Sequence, residues 1–237
     1  MNFLDETAWQ DSPRAHEAIV REEILKLESF TLLDAVSAVF AVVIDRAAMS
    51  HSSAPTPSLR ETAVLSAAVR AFRAIRAASA VIGNGYALEA ESFTRMLLEL
   101  FVSAKAIVVD ESEVEAKEWL KGNRAFGIGK RVRAAIPDGS VYGDLSQATH
   151  GDPRVLQRAL LKLAEGERTV EWGPAKTPQT EEQLRNLALA AREFSVLLEE
   201  VGFGQHPEID AVDQALQRHI PGWNPNMDYE PRAQRRQ

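Results

Sequence analysis

Apolar residues recur along this chain every three or four positions, which is the interval of an amphipathic helix. Alternation of β-branched and polar residues, which is typical of half-buried strands, is almost absent. Alanine, leucine, glutamate and arginine, all good helix formers, dominate the sequence. The pattern therefore predicts an all-α fold, an irregular bundle of about seven helices.

Prolines, glycines and capping residues divide this pattern into separate helices. Thr180, with Gln183 three residues later, is predicted to cap the helix that follows it. Thr169–Trp172 is predicted to be a brief extended piece before Pro174. The predicted helices span residues 13–49, 58–83, 86–109, 111–121, 140–150, 153–164, 180–201 and 208–220.

The second and third predicted helices form the centre of the bundle. Ser58 with Glu61 three residues on is a capping-box pattern, and it places the start of the second helix. Asn84-Gly85 tolerates left-handed backbone angles and ends this helix. The spacing of its apolar seam predicts a close antiparallel neighbour, and hence a central αα-hairpin. The seam consists of Leu65, Ala68, Phe72, Ile75, Ser79 and Ile82.

Length and composition limit the class of protein. The chain has 237 residues, is 45% hydrophobic and carries a formal net charge of -7, which is typical of a globular protein. We expect one helical domain over residues 1–222 and an extended or frayed tail over residues 223–237. The chain has no cysteine, which excludes disulfides and thiolate metal sites.

Two features bear on the compartment. The first residues are acidic, whereas a secretory signal needs positive charge. The strongest apolar run, Ala35–Ile44, lies between Asp34 and Asp45 and is shorter than the roughly 20 residues of a bilayer crossing. The sequence therefore predicts a cytoplasmic protein that has no membrane partner.

The third predicted helix carries a polar stripe on an otherwise apolar surface. A helix that is apolar nearly all round is expected to be buried, and charges inside it need partners. Arg95 and Glu99 are an i,i+4 pair and can satisfy each other in part. The pair is either a buried salt bridge that fixes helix register or the floor of a polar pocket. Ser92 and Ser103 extend the stripe, and Glu89 falls on the main apolar face.

A second set of polar residues lies about forty residues further on. Tyr142, Ser146 and His150 are spaced by four and share one helix face. They are either a capping and hydrogen-bonding device or a site that faces Arg95 and Glu99. In the second interpretation, His150 is placed to transfer a proton.

These two segments carry a resemblance to a known family. Over residues 60 to 160 the chain resembles an uncharacterised bacterial helical family, the domain of unknown function 5677 family. The resemblance implies an all-α bundle in which the polar residues of both segments cluster, and it implies no established activity. The motifs that carry it are Glu89-Ala90-x-x-Phe93-x-Arg95-x-x-x-Glu99 and Tyr142-x-x-Leu145-Ser146-x-x-x-His150-Gly151.

More distantly, the chain is similar to the HEPN helical superfamily. The ribonuclease members of that superfamily act through an Arg, four to six spacer residues and a His, often as dimers. We treat the chain as lacking that motif, with Arg95 and His150 of different helices as its nearest equivalent. Ribonuclease activity is therefore the alternative and not the leading hypothesis.

Other chemistry has less support. The five histidines show neither the HExxH pattern of zinc proteases nor the ExxH pattern of di-iron bundles, so we expect no metal and no cofactor. Residues 122–130 are glycine-rich but lack the ending of a phosphate-binding P-loop. Arg70, Arg73 and Arg76 recur every three residues and form either a solvated face or a groove for an anion or RNA.

Two function classes follow. The leading hypothesis is a helical binding module, in bacterial defence or stress, with a cleft for an anionic ligand or partner lined by Arg95, Glu89, Ser92 and Tyr142. The alternative is a metal-independent ribonuclease or phosphate-transfer enzyme. In that enzyme His150 is the acid/base, Glu99 orients it, Arg95 stabilises phosphate charge, and Tyr142 and Ser146 donate hydrogen bonds. We expect a homodimer, because the apolar seam offers more surface than one protomer covers.

Overall fold

The computed structural model describes residues 13–122, 160–162, 168–170 and 178–224. Within these ranges the chain is a bundle of seven α-helices, which confirms the predicted fold class. A short antiparallel ribbon of two strands, β1 (Leu160–Lys162) and β2 (Arg168–Val170), accompanies the bundle. The helices are α1 (Pro13–Leu25), α2 (Glu28–Ser53), α3 (Leu59–Gly83), α4 (Glu91–Val109), α5 (Val114–Leu120), α6 (Pro178–Leu198) and α7 (Glu208–His219), with a π-helical segment (Glu199–Phe203) after α6.

The prediction of one helix over residues 13–49 is wrong, because the chain bends by 71° between α1 and α2. Leu27 is extended at this point. Val20 and Ile24 of α1 are buried, so the bend lets both helices contribute to one core. Among the described residues, no single helix combines the length and apolar composition of a membrane span, and only the bent pair of Glu17–Leu25 and α2 meets both criteria together.

Helix α3 lies at the centre of the bundle and packs against α2, α4, α5 and α6. Small side chains allow this, because they let neighbouring backbones approach closely. The predicted capping box is confirmed: Ser58 Oγ accepts from the Glu61 N–H at 3.2 Å, and the Glu61 carboxylate accepts from the Ser58 N–H at 3.3 Å. The buried alanines of α3 are Ala63, Ala67, Ala68, Ala71, Ala74 and Ala78.

The predicted antiparallel hairpin is also confirmed. Arg60, at the start of α3, donates to the carbonyl groups of Ile107 and Val108 at the end of α4. Helix α4 begins at Glu91 and not at the predicted Tyr86. The Tyr86 hydroxyl donates to the Glu17 carboxylate at 2.5 Å, and this contact ties the connection between the two helices to α1.

Helix α6 completes the core between α2 and α4. Phe194 is fully buried, stacks on Phe40 at a ring distance of 6.3 Å, and meets the edge of Phe101 at 6.0 Å. Helix α7 packs against α2 and α6, and Arg192 of α6 holds it through Asp213. Residues from the starts of α2 and α6 line one cavity, and His51 near the end of α2 meets Phe203 after α6. The start of α6 therefore lies beside the start of α2.

Three predicted boundaries need correction. Residues 160–162 are a strand and not the end of a helix, because Leu160 pairs with Val170. Helix α5 begins later than predicted, since the Asp110 carboxylate accepts from the N–H groups of Ser112 and Glu115 and ends the preceding chain in a turn. Helix α6 begins at Pro178, so Thr180 lies inside its first turn instead of capping it. The predicted extended conformation at residues 169 and 170 is confirmed.

Candidate ligand-binding site

The predicted polar pair of α4 is present. Arg95 Nε donates to Glu99 Oε1 at 3.0 Å, and the two side chains are 19% and 31% exposed. Ser103 Oγ donates to the Glu99 carbonyl at 2.8 Å, which is a local helix contact. The pair is therefore half-buried, and its two charges offset each other.

Two other predicted ligand-binding residues lie at the protein surface, close to the start of α4. Glu89 and Ser92 are exposed, and Ser92 Oγ donates to the Glu89 carbonyl at 3.0 Å. The expectation that Glu89 falls on the main apolar face is wrong. Helix α4 begins only at Glu91, so the helical register that placed Glu89 does not extend to it.

The other half of the predicted site is outside the described residues. Tyr142, Ser146 and His150 all belong to the undescribed range 123–159. Whether they face Arg95 and Glu99 stays a prediction. The arginine row of α3 is exposed, and Arg76 pairs with Asp34 at 3.0 Å, as expected for a solvated face.

A cavity of about 360 Å³ lies at the end of the bundle where α2 and α6 begin and α7 ends. No motif in the sequence points to this cavity. Its wall comes from three chain segments that are distant in sequence. The lining residues are Lys26, Leu27, Glu28, Ser29, Glu181, Arg185, Arg218 and His219.

The start of α2 gives this cavity a positive potential. The N–H groups of a first helical turn have no acceptor within the helix, and the helix dipole adds partial positive charge. Leu27 occupies the capping position and has no side chain that can accept from these groups. Because α2 is 26 residues long and no side chain caps it, its N-terminus favours an anion.

Basic side chains surround this helix end. Lys26 pairs with Glu22 at 2.7 Å, and Arg185 pairs with Glu181 at 3.0 Å. Arg218 is exposed and forms no ion pair with the residues that the structure describes. The Lys26–Glu22 pair is exposed and the Arg185–Glu181 pair is part-exposed, and pairs open to solvent contribute little to stability, so both can exchange partners with an incoming anion.

His219 and Glu28 join α7 to α2 across the same cavity. His219 Nδ1 lies 3.6 Å from Glu28 Oε2, and the Glu28 side chain is 88% exposed. His219 also lies in the last turn of α7. Glu28 is free to rotate toward solvent, which would leave the imidazole available to a ligand.

Ser29 lies in the wall of the cavity, and its hydroxyl is unsatisfied. The residue is 4% exposed, and its Oγ has no hydrogen-bond partner within the described part of the chain. Ser103 and Ser195, by contrast, each donate to the carbonyl four residues earlier. An unsatisfied buried hydroxyl costs about 1–3 kcal/mol. A ligand with hydrogen-bond acceptors would offset this cost.

The opposite end of the bundle holds a second polar cluster. His51 Nε2 lies 3.3 Å from Thr62 Oγ1, which itself donates to the Ser58 carbonyl at 2.8 Å. Thr62 therefore accepts from His51, and Nε2 carries the hydrogen. His51 Nδ1 lies 3.9 Å from the Glu61 carboxylate, and the ring meets the edge of Phe203.

The treatment of the chain as lacking an Arg-x4–6-His motif is wrong. Arg46 and His51 have four residues between them, at the end of α2. Residues five apart point about 140° from each other on a helix. Arg46 accordingly pairs with Glu208 at 2.7 Å, whereas His51 contacts Thr62. Such a spacing arises easily by chance in a chain with five histidines and 27 Lys+Arg.

The π-helical segment lies beside His51. Gly202 has a φ of 120°, and the Glu199 carboxylate accepts from the His206 N–H. His206 is buried, and both of its ring nitrogens are without hydrogen-bond partners among the described residues. No group of three His, Cys, Asp or Glu side chains in the described ranges is arranged to hold a metal ion.

Comparisons of the chain with protein families, with curated proteins and with solved structures find no match. The resemblances to the domain of unknown function 5677 family and to the HEPN superfamily stay predictions.

Proposed function

We propose that this chain is a helical binding module that holds a small anionic ligand in the cavity at the start of α2 and α6. The observation that carries the proposal is the position of the uncapped start of α2 in the same cavity as Lys26, Arg185 and Arg218. The function class is the one expected from the sequence, but the site lies at the end of the bundle and not on α4.

Charge supports the proposal. Lys26, Arg185 and Arg218 against Glu28 and Glu181 leave one net positive charge in the wall. The whole chain carries a net charge of -7, so this local balance opposes that of the molecule. Hydrogen bonds to charged groups contribute about 1.5–3 kcal/mol each. Two of them with the helix dipole give at most about 8 kcal/mol, and after an association cost of at least about 4 kcal/mol this corresponds to a dissociation constant on the order of millimolar.

The test is a titration of the full chain with inorganic phosphate, read as a rise in melting temperature and by calorimetry. We expect saturable binding that Arg185→Gln and Arg218→Gln each weaken by about tenfold, which is the effect of losing about 1.4 kcal/mol. Arg70→Gln is the matched control, because Arg70 is equally basic but lies on the exposed face of α3. An equal loss of phosphate affinity in all three variants, or no phosphate binding by the native chain, would contradict the proposal.

A second candidate is a metal-independent ribonuclease, and the geometry of His51 favours it. Its Nδ1 is buried, has no hydrogen-bond partner among the described residues and lies 3.9 Å from the Glu61 carboxylate, and an unsatisfied buried nitrogen of this kind is one mark of a catalytic group. Arg46 is the cation nearest to it in sequence. His51→Ala would abolish cleavage of a single-stranded RNA if this candidate is correct, whereas unchanged cleavage would exclude His51 as the acid/base.

Other expectations from the sequence stay open. A catalytic role of His150, the homodimer, the cytoplasmic location and the link to bacterial defence are predictions that no described contact bears on.

A further inference from the structure

We infer that the ligand of the cavity is the phosphate group of a small hydroxyl-bearing molecule, and not a carboxylate, a nucleotide or RNA. This inference rests on the proposed function and names its ligand class. Three features support it: the directions of the hydrogen-bond donors, the nature of the other lining residues, and the capacity of Glu28 and Glu181 to accept hydrogen bonds.

The donors approach the cavity from three chain elements. Uncapped N–H groups come from α2, one guanidinium from Arg185 of α6 and another from Arg218 of α7. A carboxylate presents two oxygens in one plane. A phosphate monoester presents three terminal oxygens around a tetrahedral centre, so it can accept from three directions at once. The arrangement therefore favours phosphate.

The lining argues against a nucleotide. Proteins that bind nucleobases stack them on aromatic side chains or on arginine planes. Among the described residues, no aromatic residue other than His219 contributes to the wall, Leu27 is its one clearly apolar member, and the guanidinium groups of Arg185 and Arg218 are assigned to the phosphate. The volume of about 360 Å³ is also near the lower limit of small-molecule sites.

The glutamates of the wall suit a ligand with hydroxyl groups. In the absence of ligand, Glu181 pairs with Arg185 and Glu28 lies near His219. A phosphate that binds Arg185 and His219 would replace both carboxylates. Since ionised carboxylates only accept hydrogen bonds, the released groups would then accept from hydroxyls on the body of the ligand. The same exchange leaves no unpaired buried charge, because both glutamates reach solvent.

RNA is a weaker fit than a small phosphate ester. A nucleic-acid surface needs several cations along a groove to follow the backbone. The cations here line a single cavity, and Arg76 of the exposed row on α3 is already paired with Asp34.

The experiment is calorimetric titration of the full chain at constant ionic strength with five probes: inorganic phosphate, glucose 6-phosphate, acetate, adenosine monophosphate and a single-stranded RNA. We expect phosphate to bind about tenfold more tightly than acetate, and glucose 6-phosphate to bind severalfold more tightly than phosphate. Adenosine monophosphate should bind more weakly than glucose 6-phosphate.

Two variants locate the specificity. Glu181→Gln removes a carboxylate that competes for Arg185, so it should strengthen the binding of inorganic phosphate. It also removes an acceptor for ligand hydroxyls, so the ratio of the affinity for glucose 6-phosphate to that for inorganic phosphate should fall. Arg70→Gln, outside the cavity, should change neither affinity. If this affinity ratio is larger in Glu181→Gln than in the native chain, the role assigned to the glutamates is wrong.

The outcomes separate the two proposals. If none of the probes binds, the proposed function itself fails. If acetate or adenosine monophosphate binds as tightly as glucose 6-phosphate, anion binding stands and the ligand class is wrong. RNA binding that is tighter than that of every small probe and is lost in Arg70→Gln would contradict both, because it would place the ligand on the face of α3.

Discussion

Arg192 of α6 donates to both carboxylate oxygens of Asp213 in α7, with Nε–Oδ1 at 2.8 Å and Nη2–Oδ2 at 3.0 Å. Trp223 covers the guanidinium at 5.6 Å. Burial lowers the pKa of Arg192, but its hydrogen bonds to Asp213 and the charges of Glu193 and Asp213 outweigh this effect, so its pKa is raised above the ordinary value. The pair holds α7 against α6, and thereby holds Arg218 and His219 beside Arg185.

The first prediction concerns this link. Asp213→Asn removes the charge that Arg192 binds and should lower the free energy of unfolding by about 1.5–3 kcal/mol. It should also weaken phosphate binding, although Asp213 does not line the cavity, because α7 loses its attachment. Arg185→Gln is the control, and we expect it to weaken phosphate binding with little change in urea unfolding. A variant Asp213→Asn that binds phosphate like the native chain would show that the link does not position the site.

The second prediction concerns the core. Phe194→Ala should cost about 3–5 kcal/mol, because the ring is fully buried between Phe40 and Phe101 and its removal leaves a cavity. Val42→Ala, on the exposed face of α2, should change stability by less than about 0.5 kcal/mol. Urea unfolding measures both. Similar values for the two variants would mean that α6 does not fill the core.

The third prediction uses two glycines with opposite expectations. Gly202 has a φ of 120°, which any other residue adopts only under strain, so Gly202→Ala should destabilise by about 1–3 kcal/mol. Gly83 ends α3, and a Cβ there would meet Phe30 at an ordinary 3.5 Å. Gly83→Ala should therefore stabilise by about 0.4–1 kcal/mol. Melting temperatures that move in the same direction would contradict the backbone described at one of these positions.

The fourth prediction concerns alkaline pH. The hydrogen bond from the Tyr86 hydroxyl to Glu17 raises the pKa of Tyr86 above its ordinary value of about 10. The folded state thus holds the proton more tightly than the unfolded state does. The contribution to stability is fully present below the unfolded pKa and is lost as the pH rises through the folded pKa. Tyr86→Phe should remove this part of the alkaline loss in unfolding experiments from pH 8 upward. If the free energy of unfolding falls with pH as steeply in Tyr86→Phe as in the native chain, the contact between Tyr86 and Glu17 is excluded.

The sequence predicts local features of this fold well. The capping box of Ser58 and Glu61, the pairing of Arg95 with Glu99 and the helix at residues 208–219 all depend on residues within one or two turns of each other. The central hairpin also follows from a pattern within one helix. These features need only the 3.6-residue period and the chemistry of helix ends.

The remaining features depend on residues far apart in sequence. No proline or glycine marks the bend at residues 26 and 27, although the buried positions Val20 and Ile24 of α1 fall out of phase with those of α2 on a continuous helix. The cavity brings Ser29 to Arg185 and Arg218, and no spacing within the chain reveals that these segments meet. One local signal was available, since Leu27 is a poor cap for so long a helix.

The fifth prediction tests that signal. Leu27 has the extended backbone of a capping residue, so Leu27→Asp places a carboxylate over the first N–H groups of α2. It should weaken phosphate binding by about tenfold or more, because it occupies the same donors. Leu27→Ala removes the same apolar contact without adding an acceptor. We expect Leu27→Ala to bind phosphate more tightly than Leu27→Asp, and the reverse order would exclude the start of α2 as the anion site.

The most direct measurement is a titration of the isotope-labelled chain with inorganic phosphate, followed by nuclear magnetic resonance. We expect saturable shifts, with one common dissociation constant, in the backbone N–H signals of Glu28 and Ser29 and in the side-chain Nε–H signal of Arg185. Absence of shifts at these groups, or shifts centred on Ser92 and Arg95 of α4, would contradict the assignment of the ligand site to the end of the bundle.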